Sequence, residues 1–162
     1  MSYSKRIINL LLIVLLQFSL VLGEEIIDKQ SELKRHNLSI GILDDKTGFS
    51  LMGYTYNIKQ NEMNEYFIGG GTMIAAFTGT VGWKHYYRKS KLSISSILCG
   101  QYVAHMGFMG FLPTLSLTLE YNLTNWAQVK LGGWACTLLG GTSGESGGDS
   151  AILPFIGLNF RF

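Results

Sequence analysis

The stretch from Pro154 to Phe162 reads PFIGLNFRF and alternates without a break. Ile156, Leu158, Phe160 and Phe162 share one parity, and Gly157, Asn159 and Arg161 share the other. Successive side chains of an extended chain point to opposite faces, so this pattern predicts a strand with one oily and one polar face. The same pattern recurs in TLSLTLEYN, where Leu115, Leu117, Leu119 and Tyr121 oppose Thr114, Ser116, Thr118 and Glu120. It recurs again in WAQVKLGGW, where Val129 and Leu131 alternate with Gln128, Lys130 and Gly132. Only Asn122 to Asn125 separates these two segments, a hairpin-length turn.

Five more strands are expected upstream: Leu38 to Leu43, Phe49 to Tyr56, Tyr66 to Phe77, Gly79 to Arg88, and Leu92 to about Val103. Asp44 to Gly48, the polar IKQNEMNE, Thr78-Gly79, and Lys89 to Lys91 read as their connections. Ile97 to Leu119 is nearly uncharged and long enough for a transmembrane helix. Gly100, Gly107, Gly110 and Pro113 are poor helix material, however, and period two resumes at Leu115. This region therefore reads as strand, loop from His105 to Gly110, and strand. The expected fold class is all-β: an eight-stranded antiparallel up-and-down transmembrane β-barrel, preceded by a helical signal peptide.

That signal peptide is expected over residues 1–23. Lys5 and Arg6 precede the apolar run Ile7 to Leu22, and Gly23 offers a small residue at the cut. Residues 24–37 would follow as an N-terminal periplasmic segment and 38–162 as the barrel. A net charge of +2 gives no electrostatic case for a nucleic-acid partner. Cys99 and Cys136 fall on non-adjacent strands, so no disulfide is expected. Without a CxxC motif or a histidine cluster, neither a metal site nor a cofactor is expected.

Closing eight strands removes unpaired edges. A soluble carrier barrel turns its apolar parity inward, whereas a membrane barrel turns it toward lipid. Ending the terminal strand on Phe162, with Phe160, Leu158 and Ile156 alternating before it, resembles the small outer-membrane β-barrel proteins of bacteria with double membranes. Their last strand commonly ends in Phe or Trp and is read by the assembly machinery. The resemblance implies an outer-membrane location, surroundings of outer-membrane lipid and lipopolysaccharide, and the barrel assembly machinery as a partner during biogenesis. Its assembly signal would be Ile156, Leu158, Phe160 and Phe162. With both barrel ends periplasmic, the fourth and sixth connections are suitably tight, the fifth and seventh longer, and the second, about Asn57 to Glu65, overlong. Trp126, Tyr121, Tyr86 and Tyr87 fall near inner strand ends, as an aromatic girdle would.

On this parity Lys84, Arg88, Glu120, Gln128, Lys130, Asn159 and Arg161 point into the lumen. An eight-stranded barrel is roughly filled by its own side chains. Glu120 should then sit among Lys84, Lys130 or Arg88 as part of an ionic plug, because an unpaired buried charge is costly.

Gly-Glu-Ser-Gly-Gly around Ser146 resembles the nucleophile stretch of trypsin-like serine proteases. A nucleophilic serine needs a base and an orienting carboxylate held against it. The candidate bases His36, His85 and His105 lie far upstream, and only the terminal strand follows, so Ser146 reads as a loop residue. Gly69-Gly70-Gly71 lacks the following helix of a phosphate loop and reads as a site of barrel curvature. The expected function is non-enzymatic: a structural or surface-interaction role through the outer loops. One alternative is a lipid A-modifying barrel enzyme of acyl hydrolase or acyltransferase type, using His105 with a loop Ser or Asp. The His-x-Ser pair of such deacylases is absent at His105, and Asp149-Ser150 lacks the surroundings of the palmitoyltransferase type. A soluble lipocalin-like carrier is the other alternative.

Overall fold

The computed structural model describes residues 34–105, 108–137 and 150–162. The expected signal peptide, most of segment 24–37, and the Gly/Ser-rich stretch holding Ser146 and Asp149 lie outside them. Eight strands follow one another: β1 (His36–Ile42), β2 (Met52–Gln60), β3 (Asn64–Met73), β4 (Ala76–Arg88), β5 (Leu92–His105), β6 (Phe108–Asn122), β7 (Ala127–Thr137) and β8 (Ser150–Arg161). Each pairs antiparallel with its successor, and β1 pairs back onto β8, so the sheet closes into a barrel in chain order. At the seam His36 and Phe162 exchange backbone hydrogen bonds of 2.9 and 3.0 Å. From there the register runs from Asn37 opposite Arg161 to Ile42 opposite Ile156.

Both prolines sit where the ladder can spare a donor. The Arg161 N–H bonds to Trp126 O, so odd-numbered N–H groups of β8 face β7 and even-numbered ones face β1. Pro154 is even and lies beyond Ile156, where β1 has ended. On β6 the odd-numbered groups face β7, and Pro113 lies just past the last β7 pair, Thr114 with Cys136. A missing N–H costs nothing at such a ladder end, whereas inside the ladder it would remove a bond.

Several boundaries differ from the sequence reading. The polar IKQNEMNE is mostly strand, leaving a connection of only Asn61 to Met63. The loop expected from His105 to Gly110 is largely strand as well, with β6 beginning at Phe108. Polar composition suggested the first loop and glycines the second, but a barrel wall accepts both, with Glu65 buried on its inner face. Phe49 to Leu51, expected in a strand, instead belong to the segment between β1 and β2. Cys99 and Cys136 are free thiols on β5 and β7, and Cys99 Sγ lies 2.8 Å from Thr114 Oγ1.

Candidate functional site

Two surfaces could act: the outside of the barrel and the filled lumen. The outside carries the apolar parity of every strand. Ile40 and Ile42, Met52 and Tyr54, Val81 and Trp83, Leu115 and Leu117, and Ile156 and Leu158 are all exposed. Phe160 leans on Trp126, with ring centroids 5.8 Å apart and near-parallel planes.

The lumen holds the opposite parity. Lys84, Glu120, Gln128, Lys130 and Asn159 are all buried, and Arg161 is nearly so. Lys84 Nζ contacts Glu120 Oε1 directly. Gln128 does not join the ion pairs; it donates to Asn122 Oδ1 at 2.6 Å and accepts from Asn159 at 2.9 Å. Arg88 lies apart. A bulge between Tyr86 and Arg88 shifts the register, setting Arg88 opposite the outward Ile94, and among the described residues it makes no ion pair. Alternation extrapolated past a bulge gives the wrong face, because the extra residue inverts parity.

The largest departure is the Asp44 to Gly48 connection, which enters the barrel and does not extend into solvent. Leu43, at φ 61°, turns the chain out of the wall. Asp44 and Gly48 then close a tight turn with reciprocal backbone bonds of 2.9 Å each. Asp44 Oδ2 accepts from the Lys46 and Thr47 N–H groups, at 3.2 and 2.9 Å, and from Thr47 Oγ1 at 2.9 Å. An aspartate bonding its own following backbone in this way makes the turn rigid before it meets the wall. Gly48, at φ +64°, packs so closely that a Cβ would overlap the Gln101 side-chain amide. The far side of the turn needs glycine as well, since a Cβ at Gly53 would overlap Thr47 and Ser39.

The inserted turn completes the charge pairing. Lys130 Nζ reaches Asp45 Oδ1 at 2.6 Å and Asp44 Oδ1 at 3.5 Å, and Lys84 Nζ reaches Asp45 Oδ2 at 3.6 Å. On the other side Lys46 Nζ meets Glu65 Oε2 at 2.9 Å, while Arg161 and Tyr86 donate to Glu65 Oε1 at 2.8 and 3.0 Å. Four cations thus face four carboxylates: Lys84 and Lys130 share Asp44, Asp45 and Glu120, while Lys46 and Arg161 share Glu65, so the layer balances as a whole and not side by side. Sequence reasoning missed Asp44, Asp45, Lys46 and Glu65 because all four lay in stretches read as polar connections. The signal present in the sequence was the arithmetic: Lys84, Lys130 and Arg161 had only Glu120 to neutralise them.

Above this layer the lumen turns apolar. Trp134, Phe155, Leu112 and Val103 form a buried cluster, with Leu43, Phe49 and Leu153 packed against it. The Phe49 ring meets Trp134 edge to face at 5.0 Å. The inserted segment therefore holds at two levels, by Asp45 and Lys46 below and by Phe49 above. His105, the candidate base, is exposed at the end of β5, between Ala76 and Phe108 in register. Among the described residues no group of His, Cys, Asp and Glu is arranged to hold a metal ion. No family model, curated protein or solved structure matches the chain.

Proposed function

We propose that this chain is an exported outer-membrane β-barrel protein of a double-membrane bacterium, non-enzymatic, with a structural or surface-interaction role through its outer loops. One observation carries the reading: the closed barrel exposes large aliphatic and aromatic side chains on the outer face of every strand and keeps its ion pairs inside. Water is a poor solvent for such an exterior, and contiguous apolar patches this extensive are rare on soluble monomers. Lipid is a good solvent for it, and a closed barrel leaves no backbone group unsatisfied around the wall. A soluble lipocalin-like carrier would need the reverse parity and a hollow, oily interior. Here the inserted segment and the charge network fill that space, which also argues against an open pore.

Outer-membrane lipid and lipopolysaccharide are then the surroundings, and the barrel assembly machinery is the partner in biogenesis, through Ile156, Leu158, Phe160 and Phe162. Three of these four side chains are exposed on the outer wall. Fractionation of cells expressing the full chain tests the reading. The protein should leave the membrane only with detergent, and its unboiled form should run at a different gel position from its boiled form. Extraction with buffer alone would refute it. Lipid A mass spectra with and without the protein should be identical, and any new acylation state would replace this reading with the enzymatic one.

A further inference from the structure

The described charges outside the lumen crowd one end of the barrel. Lys34, Arg35, Lys59, Arg88 and Lys91 all lie at the rim formed by the chain's entry into β1 and the turns β2–β3, β4–β5 and β6–β7, with Glu62 as the lone exposed side-chain carboxylate there; Lys89, at the same rim, turns inward, its Nζ 4.7 Å from the centre of the buried Tyr86 ring. At the other end the charges of the inserted turn are buried, and among the described residues no Asp, Glu, Lys or Arg is exposed. Within the described chain, this asymmetry is that of a basic collar on one rim.

The collar is interleaved with outward-facing aromatics. Arg35 Nη1 donates to the Tyr56 hydroxyl at 3.4 Å, and Lys91 Nζ sits 5.6 Å from the centre of the Tyr121 ring. Tyr54, Tyr66, Trp83, Tyr87 and Trp126 stand exposed on the same part of the wall. Tyr and Trp favour the depth of lipid headgroups, and a cation held beside them lies at the level of the phosphates. Basic groups beside a membrane surface attract anionic lipid, and among the described residues only Glu62 stands exposed against them.

We infer that this rim is a docking surface for anionic phospholipid headgroups, which gather against Arg35, Lys59, Arg88 and Lys91 in the leaflet that meets the β4–β5 turn. The inference rests on the membrane reading above. Phosphate oxygens accept from the guanidinium and ammonium groups while the acyl chains lie along the adjoining aliphatic wall.

The outward Trp83 and Trp126 report on this rim directly. The full chain, folded into phosphatidylcholine bilayers, is titrated with brominated phosphatidylglycerol or brominated phosphatidylcholine, and tryptophan quenching gives their relative association. One engaged cation corresponds to roughly fivefold tighter association of the anionic lipid. That preference should fall toward unity in 1 M salt, where charges are screened beyond about 3 Å. It should also fall in an Arg35→Gln, Arg88→Gln, Lys91→Gln variant. Should that variant fail to fold, the salt titration of the unaltered chain decides. Equal association of the two lipids at low salt, in a barrel with heat-modifiable mobility, overturns the inference and leaves the membrane reading standing. Failure to form such a barrel in either bilayer overturns both.

Discussion

Asp45 joins two cations that alternation alone places in the lumen, Lys84 and Lys130. It is fully buried, and its two oxygens separately engage Lys130 and Lys84. Removing one partner of a buried ion pair leaves an uncompensated charge, at a cost of about 3–5 kcal/mol. Asp45→Ala should lower the folding free energy in urea by that amount. The double variant with Lys130→Ala should cost less than the two single changes together, because the shared interaction is lost only once. Arg88 provides the contrast: opposite Ile94 and outside the ion pairs, Arg88→Ala should change stability by no more than about 0.5 kcal/mol. A loss as large as that of Lys84→Ala would return Arg88 to the lumen. Gly48→Ala combines a left-handed backbone with overlap on Gln101 and should cost about 1–3 kcal/mol in the same assay.

Among the elements, β6, β7 and β8 were the most legible, because their strict alternation survives into the ladder with no register shift. Leu115 and Leu117 are exposed and Ser116 is buried, as period two requires. An arginine at Leu117 should therefore destabilise the barrel in bilayers by about 2–4 kcal/mol, measured by reversible folding into lipid. What stayed illegible shares one cause. IKQNEMNE and the stretch from His105 to Gly110 are polar or glycine-rich, and composition alone cannot distinguish a solvated loop from barrel wall. The Asp44 to Gly48 turn was harder still, since its burial depends on partners such as Glu65, Gln101 and Lys130 from distant strands. Local patterning reports which face a residue takes; it carries no information on which charges the closed ring will bring together.

For the molecule as a whole, closure sets everything else. Once β1 meets β8, the two parities become an inside and an outside, and eight strands leave an interior that its own side chains and the inserted turn can fill. The ionic layer, the apolar cluster around Trp134 and the outward band are consequences of that single topological fact. Its polarity with respect to solvent is best read from spin labels placed one at a time at Leu115, Ser116 and Leu117 in the bilayer-inserted full chain. Collision rates with oxygen, which concentrates in lipid, should be high at Leu115 and Leu117 and low at Ser116, with little access of a water-soluble nickel reagent to any of the three. Strong nickel access at Leu115 and Leu117 would place that wall in water and contradict the membrane barrel outright.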